Sequence, residues 1–153
     1  MKRIASFSVN HDKLEKGMYV SRIDGDVITY DIRMKKPNGG DYLGNGALHT
    51  FEHLFATYAR NSKYADSVIY IGPMGCRTGF YFLLRDTVSK TDAITLVKES
   101  FAFIKDFEGE IPGSRREECG NYKEHDLYGA KETAKDMLSV LEAWTEEQLE
   151  YET

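Results

Sequence analysis

Two histidines and a glutamate occur together in this 153-residue chain, at the spacing His49-x-x-Glu52-His53. Residues four apart in an α-helix lie one above the other on the same face, so both imidazoles can reach one cation. Glu52 lies at the edge of that face, where its carboxylate can serve as an acid or a base. The pattern is the inverse of the HExxH signature of zinc peptidases, and it predicts a metal site.

An exposed polar face and histidines satisfied in the core are alternative explanations of the same spacing. Only four histidines occur in the chain, however, and two of them belong to this motif. Apolar residues recur around it every three or four positions, as in a helix that buries one face: Leu48, Phe51, Leu54, Phe55 and Tyr58. We therefore expect the site at the edge of the hydrophobic core.

A catalytic metal site of this kind needs a third protein ligand, because such sites usually have three and leave one position for water or substrate. The candidates are His11, His125, Cys76, Cys119 and any carboxylate. A thiolate with two imidazoles suits zinc or ferrous iron better than magnesium or calcium, which prefer oxygen ligands. Spacing alone makes Cys119 the favoured candidate and leaves the others open.

Cys76 lies in a segment rich in glycine and proline between two predicted strands. A free cysteine is most often a small buried hydrophobic residue, but loops held by a rigid sheet often carry reactive residues. A nearby divalent metal would favour its thiolate and allow it to shuttle protons. The residues alone leave both interpretations open.

Length and charge limit the possible functions of the chain. Its 153 residues predict one domain, and its net charge of -5, from 20 basic and 25 acidic residues, offers no basic face for nucleic acid. No apolar stretch approaches the roughly 20 residues of a membrane helix, and the first residues do not form an export signal. We expect a cytoplasmic protein without membrane contact and, with two cysteines, without a disulfide framework.

Hydrophobic periodicity predicts the elements that position these residues. Strands at 19–23 and 27–34 form a hairpin around Asp24-Gly25-Asp26, and two more strands cover residues 67–71 and 79–85. The metal helix covers residues 47–60 with Asn45 as its cap, and a second helix covers 92–107 with Thr91 or Asp92 as its cap. A final helix at 127–149 turns Leu138, Leu141 and Trp144 inward. This order predicts an α+β fold with helices on one face of a mainly antiparallel sheet.

Four motifs, taken together over nearly the full chain, resemble the S-ribosylhomocysteine lyases, the LuxS family. In chain order they are Tyr30-Asp31-Ile32-Arg33, His49-Thr50-x-Glu52-His53-Leu54, Pro73-Met74-Gly75-Cys76-x-Thr78-Gly79-Phe80-Tyr81 and Glu118-Cys119-Gly120. The resemblance extends from Ser6-Phe7 to the helix after His125, and it implies a single LuxS-like catalytic domain over residues 1–153.

The resemblance implies roles for the site residues. The metal ligands would be His49, His53 and Cys119. The acid/base catalysts would be Cys76 and Glu52. The substrate pocket would be lined by Ser6, His11 and Arg33. It also implies one ferrous ion per subunit, for which zinc or cobalt can substitute. The protein would be a homodimer whose paired active sites lie at the interface and contain residues of both chains.

The implied reaction cleaves S-ribosylhomocysteine to homocysteine and dihydroxypentanedione, the precursor of the quorum-sensing signal autoinducer-2. The carbonyl of the open-chain sugar must migrate from C1 to C2 and then to C3, because only then is the proton on C4 acidic. Cys76 would move protons between C1 and C2, and Glu52 would serve the later transfers and the β-elimination. A metal would supply Lewis acidity toward the sugar oxygens.

The chain departs from the usual family pattern near Cys76. It has Tyr70-Ile71-Gly72-Pro73 where relatives commonly carry an aspartate and a serine, so a carboxylate and a hydroxyl are missing near the substrate. Arg77 replaces a usual glutamine, and it could anchor the substrate carboxylate or be a surface or interface charge.

Two other functions are compatible with HxxEH. Pitrilysin-type metallopeptidases share it, but they need a downstream glutamate ligand and a much longer chain. A metal-dependent binding or signalling module is the non-enzymatic alternative. It would have four closed ligands that include Cys76 and no open position.

Overall fold

The computed structural model describes residues 1–152 and contains a four-stranded antiparallel sheet in the order β1-β2-β4-β3. The strands are β1 (Gly17–Asp24), β2 (Val27–Arg33), β3 (Val68–Pro73) and β4 (Gly79–Arg85). The helices are α1 (Ala5–Ser8), α2 (Asn45–Asn61), α3 (Lys90–Asp106) and α4 (Leu127–Leu141), with short 3-10 turns at Ala65–Ser67 and Glu146–Leu149. This architecture confirms the predicted α+β class.

The centre of the sheet is formed by β2 and β4, which pair along their full lengths. The register places Ile28 opposite Leu84, Tyr30 opposite Phe82 and Ile32 opposite Phe80. Alternate residues of a strand point to opposite faces, so these apolar residues form one continuous buried face. The predicted hairpin is confirmed, with Gly25 at a φ of 59° in its turn.

Helices α2, α3 and α4 cover that apolar face. Aromatic rings join the layers: Phe55 of α2 lies 5.0 Å from Phe82 of the sheet, and Phe51 lies 5.0 Å from Phe101 of α3. Phe51 and Phe55 are fully buried, as the apolar periodicity predicted. Since α2 also carries the HxxEH motif, this packing holds the two histidines in a fixed position.

Both predicted helix caps were wrong. Helix α2 begins at Asn45 and its cap residue is Gly44, so Asn45 lies inside the first turn and its side chain does not cap the helix. Helix α3 begins two residues earlier than predicted, because the Ser89 hydroxyl accepts a hydrogen bond from the Asp92 amide at 3.1 Å. Such a bond satisfies one of the unpaired amides at a helix start.

The predicted final helix is interrupted. It ends at Leu141, and a separate 3-10 turn follows at Glu146–Leu149, where Thr145 and Gln148 form a capping box. The interruption lets the Trp144 indole nitrogen donate to the Met18 carbonyl at 2.9 Å. The C-terminal segment therefore crosses over the start of β1.

The N-terminal arm contains the four-residue helix α1, which exposes Ile4 and Phe7. Within residues 1–152, none of the helices combines the length and the apolar character that crossing a membrane requires.

Candidate metal centre and reactive cysteine

Four potential metal ligands meet between α2 and the segment that precedes α4. One donor atom each from His49, His53, Cys119 and His125 lies within 4.8 Å of the other three. The two histidines of α2 lie on one face, as their spacing predicted, and the loop between α3 and α4 brings Cys119 and His125 to them. Of the candidates left open by the sequence, Cys119 and His125 lie in this cluster.

The loop also orients the two imidazoles of α2. The Nδ1 atom of His49 donates to the Glu124 carbonyl, and that of His53 donates to the Pro112 carbonyl, both at 2.8 Å. A carbonyl oxygen only accepts hydrogen bonds, so each Nδ1 carries a hydrogen, and in the neutral form of the ring the lone pair is then on Nε2. Backbone acceptors of this kind fix the tautomer of a metal-binding histidine.

These donors fit a zinc or ferrous ion. Cys119 Sγ lies 3.3 Å from His49 Nε2, close to the about 3.6 Å that separates sulfur and nitrogen ligands around a tetrahedral ion with ordinary bond lengths. Two imidazoles and one thiolate are also the softer ligands that such ions prefer to magnesium or calcium. The donor set therefore supports the predicted metal site.

His125 is held on the same side of α2. Its Nδ1 lies 2.9 Å from the Thr50 hydroxyl, which also accepts from the Asp126 amide at 2.9 Å. Its ring stacks on that of His49 with centroids 4.0 Å apart, and its Nε2 lies 4.0 Å from Cys119 Sγ. Burial, followed by the charges of the two neighbouring histidines, lowers the pKa of His125 below its ordinary value. A fourth donor therefore faces the site.

Glycines allow the loop to approach α2 closely. Gly113 has a φ of 69°, and a Cβ at this position would lie 3.2 Å from His53 Nδ1. Gly46 faces Asp126, the capping residue of α4, where a Cβ would lie 3.2 Å from the aspartate side chain. The sequence contains these glycines, but nothing local shows which helix they approach.

Cys76 lies in the exposed turn between β3 and β4, outside the metal cluster. Its sulfur is 2.9 Å from the Thr78 hydroxyl. That hydroxyl accepts a hydrogen bond from Arg33 Nη1 at 2.8 Å. Cys76 is therefore accessible to small molecules while its sulfur is tied to the end of the sheet.

Arg33 is buried, with 3% of its surface exposed, and it forms a bidentate ion pair with Asp31 at 3.1 and 2.7 Å. Burial lowers the pKa of Arg33, but the hydrogen bond and charge of Asp31 outweigh it and raise the pKa above its ordinary value. The Tyr151 hydroxyl donates to the same carboxylate at 2.6 Å. The sequence motifs predicted no role for Asp31, Thr78 or Tyr151, and no local signal links Tyr151 to a residue 120 positions away.

The other predicted site residues lie outside the metal cluster. Glu52 is half-buried on α2, and within residues 1–152 its carboxylate has no hydrogen bond or ion pair. Ser6 belongs to α1, and the His11 ring nitrogen donates to the Val9 carbonyl at 2.9 Å. Their catalytic and substrate-binding roles, like that of Arg33, stay predictions.

Two of the departures from the family pattern are structurally linked. Tyr70 is 54% exposed on β3, and its ring occupies the space beside Gly72. A Cβ at Gly72 would overlap that ring, so a larger residue there would require the tyrosine to move. The glycine at position 72 therefore leaves the space that the Tyr70 ring occupies.

Arg77 follows Cys76 with a φ of 60°, an unusual value for a residue other than glycine. Its guanidinium donates to the Leu43 carbonyl at 3.3 Å and lies 5.9 Å from the Tyr42 ring. Its predicted role as an anchor for the substrate carboxylate stays open, as does the alternative of a surface charge.

In comparisons with known proteins, residues 4–148 match the family described as S-Ribosylhomocysteinase (LuxS). The S-ribosylhomocysteine lyase of Phocaeicola vulgatus is 50% identical over 159 residues, which cover 100% of the chain and 99% of the relative. The proteins of the same name from Porphyromonas gingivalis and Clostridium acetobutylicum are 49% and 45% identical, with 99% of each chain covered. The family match includes both the metal cluster and the turn that carries Cys76.

Proposed function

The chain belongs to the S-ribosylhomocysteinase (LuxS) family, and we propose that it is a carbon-sulfur lyase that cleaves S-ribosylhomocysteine to homocysteine and dihydroxypentanedione. The observation that carries this proposal is the cluster of His49, His53 and Cys119, in which Nδ1 of each imidazole donates to a backbone carbonyl and Nε2 is the ring nitrogen left for a metal. The similarity to lyases over the full chain identifies the substrate class.

We propose that the three cluster residues hold one ferrous ion, for which zinc or cobalt can substitute. A bound metal would supply Lewis acidity toward the sugar oxygens. The carbonyls of Glu124 and Pro112 keep the imidazoles in the tautomer that binding requires.

We propose that Cys76 and Glu52 transfer the protons in this reaction. Cys76 Sγ moves protons between C1 and C2 of the open-chain sugar, and the Thr78 hydroxyl at 2.9 Å orients the sulfur. A carboxylate oxygen of Glu52 takes the proton from C3 and returns it to C2, so that the carbonyl moves from C2 to C3. It then removes the C4 proton as the C5–S bond breaks and homocysteine leaves.

Substrate binding is assigned to Ser6, His11 and Arg33. The first two belong to the N-terminal arm. As the family resemblance implies, the protein would be a homodimer in which active sites at the interface combine residues of both chains. We further propose that residues 1–153 form a single catalytic domain and that the protein is cytoplasmic.

The central experiment incubates anaerobically purified, iron-loaded protein with S-ribosylhomocysteine and titrates the released thiol. We expect homocysteine to accumulate in proportion to enzyme. Cys76→Ala and Glu52→Gln should retain iron and lose turnover, because neither residue belongs to the metal cluster. A wild-type rate no higher than that without enzyme would overturn the assignment, and loss of metal from Cys76→Ala would contradict the proposed ligand set.

His125 requires a separate test, because a closed site with four protein ligands is typical of a structural ion. We expect His53→Gln and Cys119→Ser to lose bound cobalt and its thiolate absorption band, and His125→Gln to retain both. If His125→Gln lost cobalt as fully as His53→Gln, the fourth position would be a protein ligand. That result would favour the structural-ion alternative.

A further inference from the structure

A continuous chain of hydrogen bonds connects the C-terminal segment to the turn of Cys76. The Tyr151 hydroxyl donates to Asp31 Oδ2 at 2.6 Å, and Arg33 donates to the same oxygen through Nη2 at 2.7 Å. Arg33 Nη1 donates to the Thr78 hydroxyl at 2.8 Å, and that hydroxyl lies 2.9 Å from Cys76 Sγ. Each intermediate residue therefore contacts both of its neighbours in the chain.

The interior of this network is shielded from water. Asp31, Arg33 and Thr78 are 1%, 3% and 2% exposed. Hydrogen bonds in such surroundings are stronger than in water, and connected bonds polarise one another. A change at one end of the network can thus alter the charge distribution at the other end.

The direction of the donors matters for the sulfur. A guanidinium group only donates, so the Thr78 oxygen accepts from Arg33 and its own hydrogen is available to Cys76 Sγ. The positive charge of Arg33 thereby supports negative charge on the sulfur. Asp31 opposes this effect, because its carboxylate compensates the guanidinium charge. The Tyr151 hydroxyl donates a hydrogen bond that stabilises part of the negative charge of this carboxylate. The carboxylate then compensates the positive charge of Arg33 less fully.

Tyr151 is held in place by its own contacts. Its ring stacks on Tyr19 with centroids 5.1 Å apart and an angle of 22°, and its hydroxyl contacts the Ser21 side chain. Position 151 lies beyond residues 4–148, which match the family. Its contribution is therefore not implied by the family match.

We propose that Tyr151 is a positioning residue for Cys76, acting through Asp31, Arg33 and Thr78 to support the reactive form of the sulfur. The inference rests on the proposed function only in treating Cys76 as an acid/base group of the reaction. The hydrogen-bond network itself requires no substrate.

The test measures alkylation of Cys76 by iodoacetamide in the metal-loaded protein, with peptide mass spectrometry to separate Cys76 from Cys119. We expect Tyr151→Phe to lower the rate constant at pH 7 about fivefold, equivalent to about 1 kcal/mol. The rate at pH 10 should change little, because bulk base then removes the thiol proton in either protein. In the lyase assay, kcat should fall while KM stays unchanged.

Tyr19→Phe is the matched control, since its hydroxyl donates to the Glu15 carbonyl and not to the network. Its alkylation rate should equal that of wild type. A second variant, truncated after Glu150, should reproduce the result of Tyr151→Phe. Unchanged alkylation in both Tyr151 variants, an equal fall at both pH values, or an equal fall in Tyr19→Phe would overturn the proposal. If wild type releases no homocysteine, the proposed function fails, but the alkylation difference still tests the network.

Discussion

The buried ion pair between Asp31 and Arg33 should be a major local determinant of stability. The substitution Arg33→Met removes the charge and all three guanidinium hydrogen bonds, to both oxygens of Asp31 and to Thr78. Asp31, which is 1% exposed in the wild type, then keeps the neutral Tyr151 hydroxyl as its side-chain hydrogen-bond donor within residues 1–152. Breaking a buried pair on one side costs about 3–5 kcal/mol, because an uncompensated charge is left in the interior.

The removal of both charges should cost less than the removal of one. Asp31→Asn combined with Arg33→Met leaves no buried charge and keeps an oxygen that accepts from Tyr151. We therefore expect the double variant to be more stable than Arg33→Met alone. The difference in unfolding free energy between the two variants measures the cost of the unpaired charge and separates it from the loss of packing.

Urea unfolding at fixed metal concentration is the appropriate measurement, since bound metal adds to the apparent stability. The midpoint of Arg33→Met should fall by the amount that corresponds to about 3–5 kcal/mol, and its Tm by about 10 °C. A loss below about 1 kcal/mol, the range of exposed pairs, would refute the reasoning. A double variant as unstable as the sum of the single variants would refute it as well.

Three further substitutions test the core and the helix starts by the same unfolding assay. Tyr30→Phe should not destabilise the protein at pH 7, because within residues 1–152 the buried Tyr30 hydroxyl has no hydrogen-bond partner. Burial, with a smaller effect of Glu146, raises the pKa of Tyr30 to about 12. Wild type should therefore lose stability as the pH rises from 10 to 12, where only the unfolded chain has released this proton, and Tyr30→Phe should lose less. Phe55→Ala should cost about 3–5 kcal/mol by opening a cavity among the stacked rings, and Ser89→Ala about 1 kcal/mol through the lost cap.

Local periodicity was sufficient for most of the fold. The alternation of residues 27–34 and the three-four spacing around His49 predicted β2 and α2 within a few residues of their observed ends. These patterns are reliable because a helix or strand that buries one face must repeat apolar residues along the chain at its own structural period. The predicted cap of α3 and the predicted last helix were wrong because a serine one turn away and a local capping box compete with helical periodicity.

The amino-acid order by itself determined that two imidazoles share one helix face, because the period of 3.6 residues per turn in an α-helix alone decides this. Residues 70, 45 and 120 positions apart form the remaining contacts, namely Cys119 with His49, Thr78 with Arg33, and Tyr151 with Asp31. Only the pairing of β2 with β4, together with the packing of the loop on α2 and of the C-terminal segment on the sheet, could decide these partners. The physical reason is that these residues come together only when the chain folds around one core. Spacing rules apply to residues a few positions apart and do not relate such distant pairs.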